Sequence, residues 1–182
     1  MHKHLERPEA RHTDGLRIGY AAGAFDLFHV GHLNILKHAK TECDWLIAGV
    51  VSDEMLRESK GISPIVPLAE RMEVVRHIDF VDEVFAEVLP NKLDTWRHLR
   101  FDVFFKGDDW RGTEKGMRLE REFAAVGVEV VYFPYTVSTS STALRRALDA
   151  LNGPASAATG GGSQSAETQQ PGALKEQVGA GG

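Results

Sequence analysis

Two histidines three residues apart, His29 and His32, end the segment Gly-Ala-Phe-Asp-Leu-Phe-His-Val-Gly-His that begins at Gly23. An apolar run at residues 17–22 precedes it and predicts a strand, and from Gly31 onward apolar residues recur at helical spacing. The histidines therefore lie where a helix begins, and the free N–H groups and dipole of a helix N-terminus favour an anion. Imidazoles three residues apart share one side of the first turn. This pattern predicts chemistry on a polyphosphate.

The turn residues have separable expected roles. Gly23 and Gly31 would let a ligand approach the backbone closely, and Asp26 is expected to hold the turn by accepting a backbone hydrogen bond. His29 and His32 would donate hydrogen bonds to phosphoryl oxygens as charge builds on them. The alternatives are ordinary histidines at a helix start, or half of a zinc site. The zinc alternative lacks a second cluster with convincing ligand spacing.

A second polar segment follows the next apolar run and begins Ser52-Asp-Glu. Further along it, Lys60 precedes Gly61 in a predicted loop, from which its ammonium would swing over a bound phosphate. The alternative is a solvated surface lysine. Arg71 falls in the helix after this loop, where it either faces the substrate pocket or pairs with a nearby acid.

Two more polar segments end later strands. Lys106-Gly-Asp-Asp-Trp110 would place adjacent carboxylates where they orient a substrate hydroxyl or a hydrated Mg²⁺, with the tryptophan as a wall. Asp108 and Asp109 would otherwise cap the next turn. Ser140, Ser141 and Thr142 lead into a helix and form a second anion cradle, or else a plain helix cap.

Composition limits the class of protein. The chain has 182 residues, of which 42% are hydrophobic and 26% charged, as expected for one soluble globular domain. A net charge of −5 argues against nucleic-acid binding through phosphate contacts. The single cysteine, Cys43, excludes an internal disulfide. No apolar stretch predicts a membrane span or a secretory signal, so a cytoplasmic location is expected.

Apolar runs and helical patterns alternate along the chain. Strands are predicted at 17–22, 45–51, 83–86, 103–106 and 128–133, and helices at 31–42, 68–77, 93–99, 115–126 and 141–151. This alternation predicts a single α/β domain over residues 16–151: a Rossmann-like, doubly wound, five-stranded parallel sheet with helices on both faces. Residues 1–15 and the Gly- and Ser-rich residues 152–182 are expected to be flexible tails. Ligands of such sheets bind beyond the C-terminal strand ends, where all four polar segments fall.

These segments together resemble the HxGH nucleotidyltransferase superfamily, and within it the glycerol-3-phosphate cytidylyltransferase group. The resemblance spans about residues 17–148. Its motifs are Gly-Ala-Phe-Asp with His-Val-Gly-His, Ser-Asp-Glu at 52–54, Asp-Val-Phe with Gly-Asp-Asp-Trp at 102–110, and Ser-Ser-Thr at 140–142. The histidine motif is typical of the whole superfamily, whereas Gly-Asp-Asp-Trp is narrower and favours the cytidylyltransferase branch.

The resemblance implies nucleotidyl transfer from a nucleoside triphosphate to a phosphate monoester with release of pyrophosphate. It implies a homodimer, and Mg²⁺ carried mainly by the triphosphate. It also assigns roles to three sets of residues. The catalytic set is His29, His32 and Lys60; the nucleotide-binding set is Gly23, Ala24, Phe25, Gly31, Ser140, Ser141 and Thr142; the substrate-pocket set is Asp26, Arg71, Lys106, Gly107, Asp108, Asp109 and Trp110.

One departure from the cytidylyltransferase pattern concerns the nucleotide. Tyr135 stands where that pattern has an arginine and Ser138 where it has a glycine, so a bidentate phosphate clamp is missing unless Lys106 or Arg145 replaces it. In addition, Ser-Ser-Thr-Ala-Leu-Arg at 140–145 resembles the corresponding turn of adenylyltransferases. The expected function is transfer of CMP from CTP to a small polyol phosphate, glycerol 3-phosphate first. The alternatives are an adenylyltransferase using ATP and a non-catalytic nucleotide-binding module.

Overall fold

A five-stranded parallel sheet organises the molecule, as the alternating pattern predicts. The computed structural model describes residues 15–134 and 140–151. All neighbouring strands pair in parallel, in the order β3-β2-β1-β4-β5. The strands are β1 (Ile18–Gly23), β2 (Trp45–Val51), β3 (Glu83–Glu87), β4 (Val103–Gly107) and β5 (Glu129–Phe133).

Helices cover both faces of this sheet, which confirms the predicted α/β class. One core cluster includes Leu36 and Val75, from the first and third helices; the other includes Leu99 and Phe123, from the fourth and fifth. A single 3₁₀ turn, Asp108–Trp110, follows β4. The helices are α1 (Val30–Thr41), α2 (Asp53–Lys60), α3 (Leu68–Arg76), α4 (Lys92–Leu99), α5 (Glu114–Ala124) and α6 (Ser141–Leu151).

Helix α2 corrects one expectation. The segment that contains Lys60 was expected to be a loop, and this is wrong: Lys60 is the last residue of a helix. The Ser52 side chain caps its start by accepting from the Met55 N–H at 3.2 Å, and Gly61 ends it in the left-handed conformation. The helix is short and buries only Leu56, so its apolar periodicity is too weak to announce it.

Tyr20 links three strands near the C-terminal edge of the sheet. Its ring crosses Gly49 of β2, and its hydroxyl donates to the Glu87 carboxylate at the end of β3 at 2.5 Å. A Cβ on Gly49 would lie 2.0 Å from the Tyr20 hydroxyl oxygen. Glycine at this position therefore leaves the space that the tyrosine needs to reach Glu87.

The predicted tails, 1–15 and 152–182, lie outside the described residues except for Gly15, as do Tyr135 and Ser138. Within the described part of the chain, no helix has the length and apolar character needed to cross a membrane.

The contact between Gly49 and Tyr20 predicts a stability effect. Gly49→Ala is expected to lower the free energy of unfolding by about 1–3 kcal/mol, because the added methyl group displaces the buried ring. Urea unfolding measures this. In a Tyr20→Leu background, which lacks the clashing atoms, the same substitution should cost much less. An equal cost in both backgrounds would contradict the assigned contact.

Candidate active site

A cavity of about 300 Å³ opens at the C-terminal edge of the sheet, between the first turn of α1, the end of α2, the end of β4 and the start of α6. This is where a doubly wound sheet binds its ligands. Most of the residues singled out from the sequence line it: Ala24, Asp26, His29, Gly31, His32, Lys60, Lys106, Gly107, Asp109, Trp110, Ser141 and Thr142.

The turn between β1 and α1 has an uncommon backbone. Phe25 and Leu27 have φ angles of 51° and 48°, in the left-handed region that costs a non-glycine residue about 1–2 kcal/mol. Phe25 is buried, and its ring meets His32 edge-on, with centroids 5.4 Å apart. Gly23 lies under the same ring, which a Cβ would approach to 3.1 Å. Gly23 and Phe25, which are predicted to bind nucleotide, shape the turn from behind and are not among the residues that line the cavity.

His29 is fixed in one tautomer by its neighbours. Its Nδ1 accepts from the Gly31 N–H at 3.0 Å, which caps α1, so the neutral ring carries its proton on Nε2. That nitrogen lies 3.3 Å from the Ser141 hydroxyl oxygen, and the hydroxyl in turn donates to the Asp26 carbonyl oxygen at 2.9 Å. The Nε2–H of His29 thus points to the place where α6 begins.

His32 stacks on His29, with ring centroids 4.0 Å apart. Burial, followed by the neighbouring His29, lowers the pKa of His32 to about 4, and burial also lowers the pKa of His29. Both rings are therefore mainly uncharged at neutral pH. Within the described residues, the buried Nδ1 of His32 has no hydrogen-bond partner. The site thus holds neutral imidazoles, whose N–H groups serve as donors.

Asp26 bridges three segments around the cavity. Its buried carboxylate accepts from the N–H groups of Ile65 and Val66 at 3.1 and 2.9 Å and pairs with the Arg145 guanidinium. It was expected to hold its own turn; it instead holds the loop between α2 and α3. Arg145 also donates to the Ser63 carbonyl at 2.8 Å, so the same loop is tied to α6.

Arg71 does not reach the cavity, contrary to its expected place in the substrate pocket. Only 1% of it is exposed, and its guanidinium donates to the carbonyls of Ala24, Val51 and Val66. It also pairs with Asp53 at 2.5 Å. Of the two alternatives from the sequence, the structure shows pairing with an acid. Nearly all of the guanidinium N–H groups are bound by Asp53 and by backbone carbonyls, so few remain for a ligand.

Two lysines reach the cavity from the side of β4 and α2. The Lys106 ammonium lies 4.2 Å from the centroid of the Trp110 ring, and Lys60 lines the cavity from the end of α2. Burial, followed by the positive charge of Lys60, lowers the pKa of Lys106 to about 8. Asp109 folds over Gly107, where a Cβ would lie 2.6 Å from a carboxylate oxygen. Asp108 is exposed and does not line the cavity.

The three hydroxyl residues at the start of α6 differ in position and contacts. Ser140 accepts from the Ala143 N–H at 3.2 Å, so it is a plain cap outside the cavity, whereas Ser141 and Thr142 line it. Arg145 also lines the cavity; the sequence named it only as an alternative to the missing arginine clamp and not in any of the three sets of site residues. Its spacing after the Ser-Ser-Thr turn was the signal for it. The apolar lining residues Ala22, Ile35, Ile62, Phe133 and Pro134 carried no signal of their own.

The protein side chains offer no ready-made metal site in the described residues, since these contain no group of three or more His, Cys, Asp or Glu placed to bind an ion. Asp26, the buried carboxylate nearest the histidines, is already bound by Arg145 and two N–H groups.

Comparison with known proteins agrees with the geometry. The sequence model of the Cytidylyltransferase-like family matches residues 20–147. The chain belongs to the cytidylyltransferase-like family. It is 40% identical over 130 residues to a "Bifunctional protein HldE" of Streptomyces coelicolor and 37% identical over 114 residues to an "FAD synthase" of Pyrococcus abyssi. These matches cover 68% and 62% of this chain, and 27% and 77% of the respective relatives. The chain thus spans about a quarter of the length of the HldE relatives.

Solved structures show the same fold. A lipopolysaccharide core biosynthesis protein from Thermoplasma volcanium superposes with a TM-score of 0.58 at 24% identity, covering 67% of this chain and 98% of that one. A pantoate-beta-alanine ligase from Francisella tularensis gives a TM-score of 0.53 at 15% identity, covering 75% and 70%. These structures show the Rossmann-like fold, and the family match places the protein in the nucleotidyltransferase superfamily.

The contacts of Arg71 predict a structural role. Arg71→Met is expected to lower the free energy of unfolding by about 3–5 kcal/mol, because three carbonyls and Asp53 lose a buried cation. Arg76→Met is the matched control: Arg76 lies on the same helix, is exposed and pairs with Glu73 at the surface, so its loss should change stability by less than about 1 kcal/mol. Similar effects in the two variants would contradict the prediction.

Proposed function

We propose that this cytidylyltransferase-like protein transfers a nucleotidyl group from a nucleoside triphosphate to the phosphate of a small phosphate monoester. The observation that carries the proposal is the stacked pair His29 and His32 at the first turn of α1, in one cavity with Lys60, Lys106 and Arg145. Neutral imidazole donors and cations around a helix N-terminus suit a phosphate chain.

The triphosphate would lie along the first turn of α1. His29 is the helix cap, and its Nε2–H faces the Ser141 hydroxyl at a long 3.3 Å, so this N–H can be redirected to a phosphoryl oxygen. The Ser141 hydroxyl would then be released toward the same ligand. Arg145, held by Asp26 and the Ser63 carbonyl, stands beside it as a cation for the phosphates. We propose that Arg145 and Lys106 supply the charge lost where Tyr135 replaces an arginine.

Positioning and charge stabilisation would account for catalysis. A phosphate oxygen of the acceptor attacks the α-phosphorus, a new P–O bond forms, and the bond from the α-phosphorus to the bridging oxygen breaks to release pyrophosphate. Charge grows on the α-phosphoryl oxygens in that step, and the N–H groups of His29 and His32 would stabilise it. No covalent intermediate on the protein is needed. Mg²⁺, bound mainly by the triphosphate, would neutralise the leaving pyrophosphate.

For the substrates, we propose CTP and a small polyol phosphate, with glycerol 3-phosphate as the first acceptor to test. The support is the Gly-Asp-Asp-Trp segment after β4, from which Gly107, Asp109 and Trp110 line the cavity. The Asp109 carboxylate is placed to accept hydrogen bonds from hydroxyl groups. We also retain the prediction that the protein works as a homodimer.

Adenylyl transfer from ATP is the second candidate. Two observations favour it: an FAD synthase is among the relatives at 37% identity, and FAD contains an adenylyl group. Arg145 also lies in the cavity at the position that the adenylyltransferase-like Ser-Ser-Thr turn predicts.

Removing one imidazole tests the mechanism. His32→Ala is expected to lower kcat about 10²–10³-fold, because the transition state loses a donor, while the melting temperature stays close to wild type. His77→Ala, at the exposed end of α3, is the control and should keep wild-type turnover. Turnover of His32→Ala within a few-fold of wild type would rule out the assigned role.

Pyrophosphate release identifies the nucleotide. We expect release with CTP and glycerol 3-phosphate in the presence of Mg²⁺, and none without an acceptor. The parallel assay uses ATP, with glycerol 3-phosphate, FMN and a sugar phosphate as acceptors. Pyrophosphate release with ATP and an acceptor, but not with CTP, would favour the adenylyltransferase candidate instead. Tight nucleotide binding without release on any acceptor would instead indicate a non-catalytic nucleotide-binding module.

A further inference from the structure

Helix α6 is attached to the domain by polar side chains rather than by an apolar face. None of its residues is buried, and Leu151 at its end is 79% exposed. Within the described residues, the side chains that join it to other elements by hydrogen bonds are Ser141 and Arg145, one helical turn apart and therefore on one side of the helix. An element held by a few polar contacts opens at a lower free-energy cost than one packed into the core.

The loop between α2 and α3, residues 61–67, has no regular secondary structure and is held at separate points. Near its end, the Asp26 carboxylate accepts from two backbone N–H groups. In its middle, the Ser63 carbonyl accepts from the Arg145 guanidinium at 2.8 Å, and the next residue, Pro64, has no N–H to donate. In the described part of the chain, Arg145 is the hydrogen-bond partner of Ser63. The middle of the loop is thus tied to the domain through α6.

Arg145 can contact a ligand and this loop at the same time. Its two terminal nitrogens donate to the Ser63 carbonyl and to the Asp26 carboxylate. A guanidinium carries several N–H groups in a fixed plane, and Arg145 also lines the cavity, so a ligand there can use further donors. The loop contributes Ile62 to the cavity wall, directly after the end of α2. A wall of the cavity therefore depends on the position of Arg145.

We propose that Arg145 is a positioning residue for the loop between α2 and α3, so that a triphosphate bound at the start of α6 holds the loop against the cavity. The inference rests on the proposed function for the identity of the ligand. A ligand shifts such an equilibrium only if it prefers one arrangement. It prefers the attached loop, because the Ser63 carbonyl and the Asp26 carboxylate then orient the guanidinium before the ligand arrives. By linkage, the attached loop raises the affinity for the triphosphate by the same factor.

Hydrogen exchange at the amides of Ile65 and Val66 measures this coupling, because their bonds to Asp26 require the attached loop. NMR follows both amides with and without Mg²⁺ and α,β-methylene CTP or ATP, at concentrations that saturate each variant. In the wild type, nucleotide should slow the exchange about 5–10-fold. Arg145→Lys keeps the charge but loses the planar fork that spans two partners, so the slowing should fall below about twofold.

Arg146→Lys is the matched control. Arg146 is the next residue on α6, is exposed and is not among the residues that line the cavity. The variant carries the same chemical change without touching the loop or the ligand. It should therefore keep the wild-type exchange rates, both with and without nucleotide.

Pro64→Gly separates coupling from loop stability. Pro64 is not among the residues that line the cavity, and glycine gives the detached loop more freedom. Exchange without nucleotide should become about 2–5-fold faster, while nucleotide should slow it by the same factor as in the wild type, since Arg145 is intact. If Arg145 only stabilised the loop, Arg145→Lys would behave in the same way, with faster exchange and an unchanged response to nucleotide. That result would overturn the proposal.

Turnover, measured as pyrophosphate release on the same preparations, is an independent result. Bound nucleotide that leaves the wild-type exchange unchanged would overturn the role of Arg145, as would a wild-type protein that binds neither nucleotide. Pyrophosphate release without the exchange effect would remove this role and leave the proposed function intact. The exchange effect without release on any acceptor would count against the proposed function and leave the role of Arg145 standing.

Discussion

The buried guanidinium of Arg71 holds together the edge of the sheet where the site forms. Backbone carbonyls after β1 and β2 and in the loop before α3 all point to this one cation. Away from water they need a donor, and one planar group with several N–H bonds supplies it. Asp26, two residues after Ala24, performs the opposite task and accepts from backbone N–H groups and Arg145. These two charges position the irregular segments that no strand or helix can hold.

The turn between β1 and α1 depends on this framework. Two residues of the turn adopt left-handed backbone conformations, which persist only when the surroundings hold them. Phe25 is packed in the core, and the carbonyl of Ala24 is bound by Arg71. The strain is thus offset by buried contacts behind the turn, while its front presents His29 and His32 to the cavity. Phe25 and Arg71, which lie outside the cavity, thus determine the direction in which the imidazoles point.

Much of the fold was predictable because its signals are local. All five strands begin and end within a residue of the expected bounds, since buried parallel strands read as continuous apolar runs. Helix α2 was not predicted, because it buries one side chain and so lacks a clear apolar periodicity. The residues that line the cavity from strand ends and helix starts could be located for the same reason. Arg71 was misplaced because a lone arginine in a polar helix gives no sign of which carbonyls will surround it.

By itself, the sequence determined the class of fold, the identity of the histidine motif and the chemistry that imidazoles at a helix start can support, because these follow from residue type and short-range spacing. Only the tertiary structure decided which charges face the ligand and which hold the scaffold. Arg71 and Arg145 both lie in helices, yet Arg71 is buried and bound by backbone carbonyls, whereas Arg145 lines the cavity. That difference arises from contacts between residues tens of positions apart, and such contacts have no signature in local spacing.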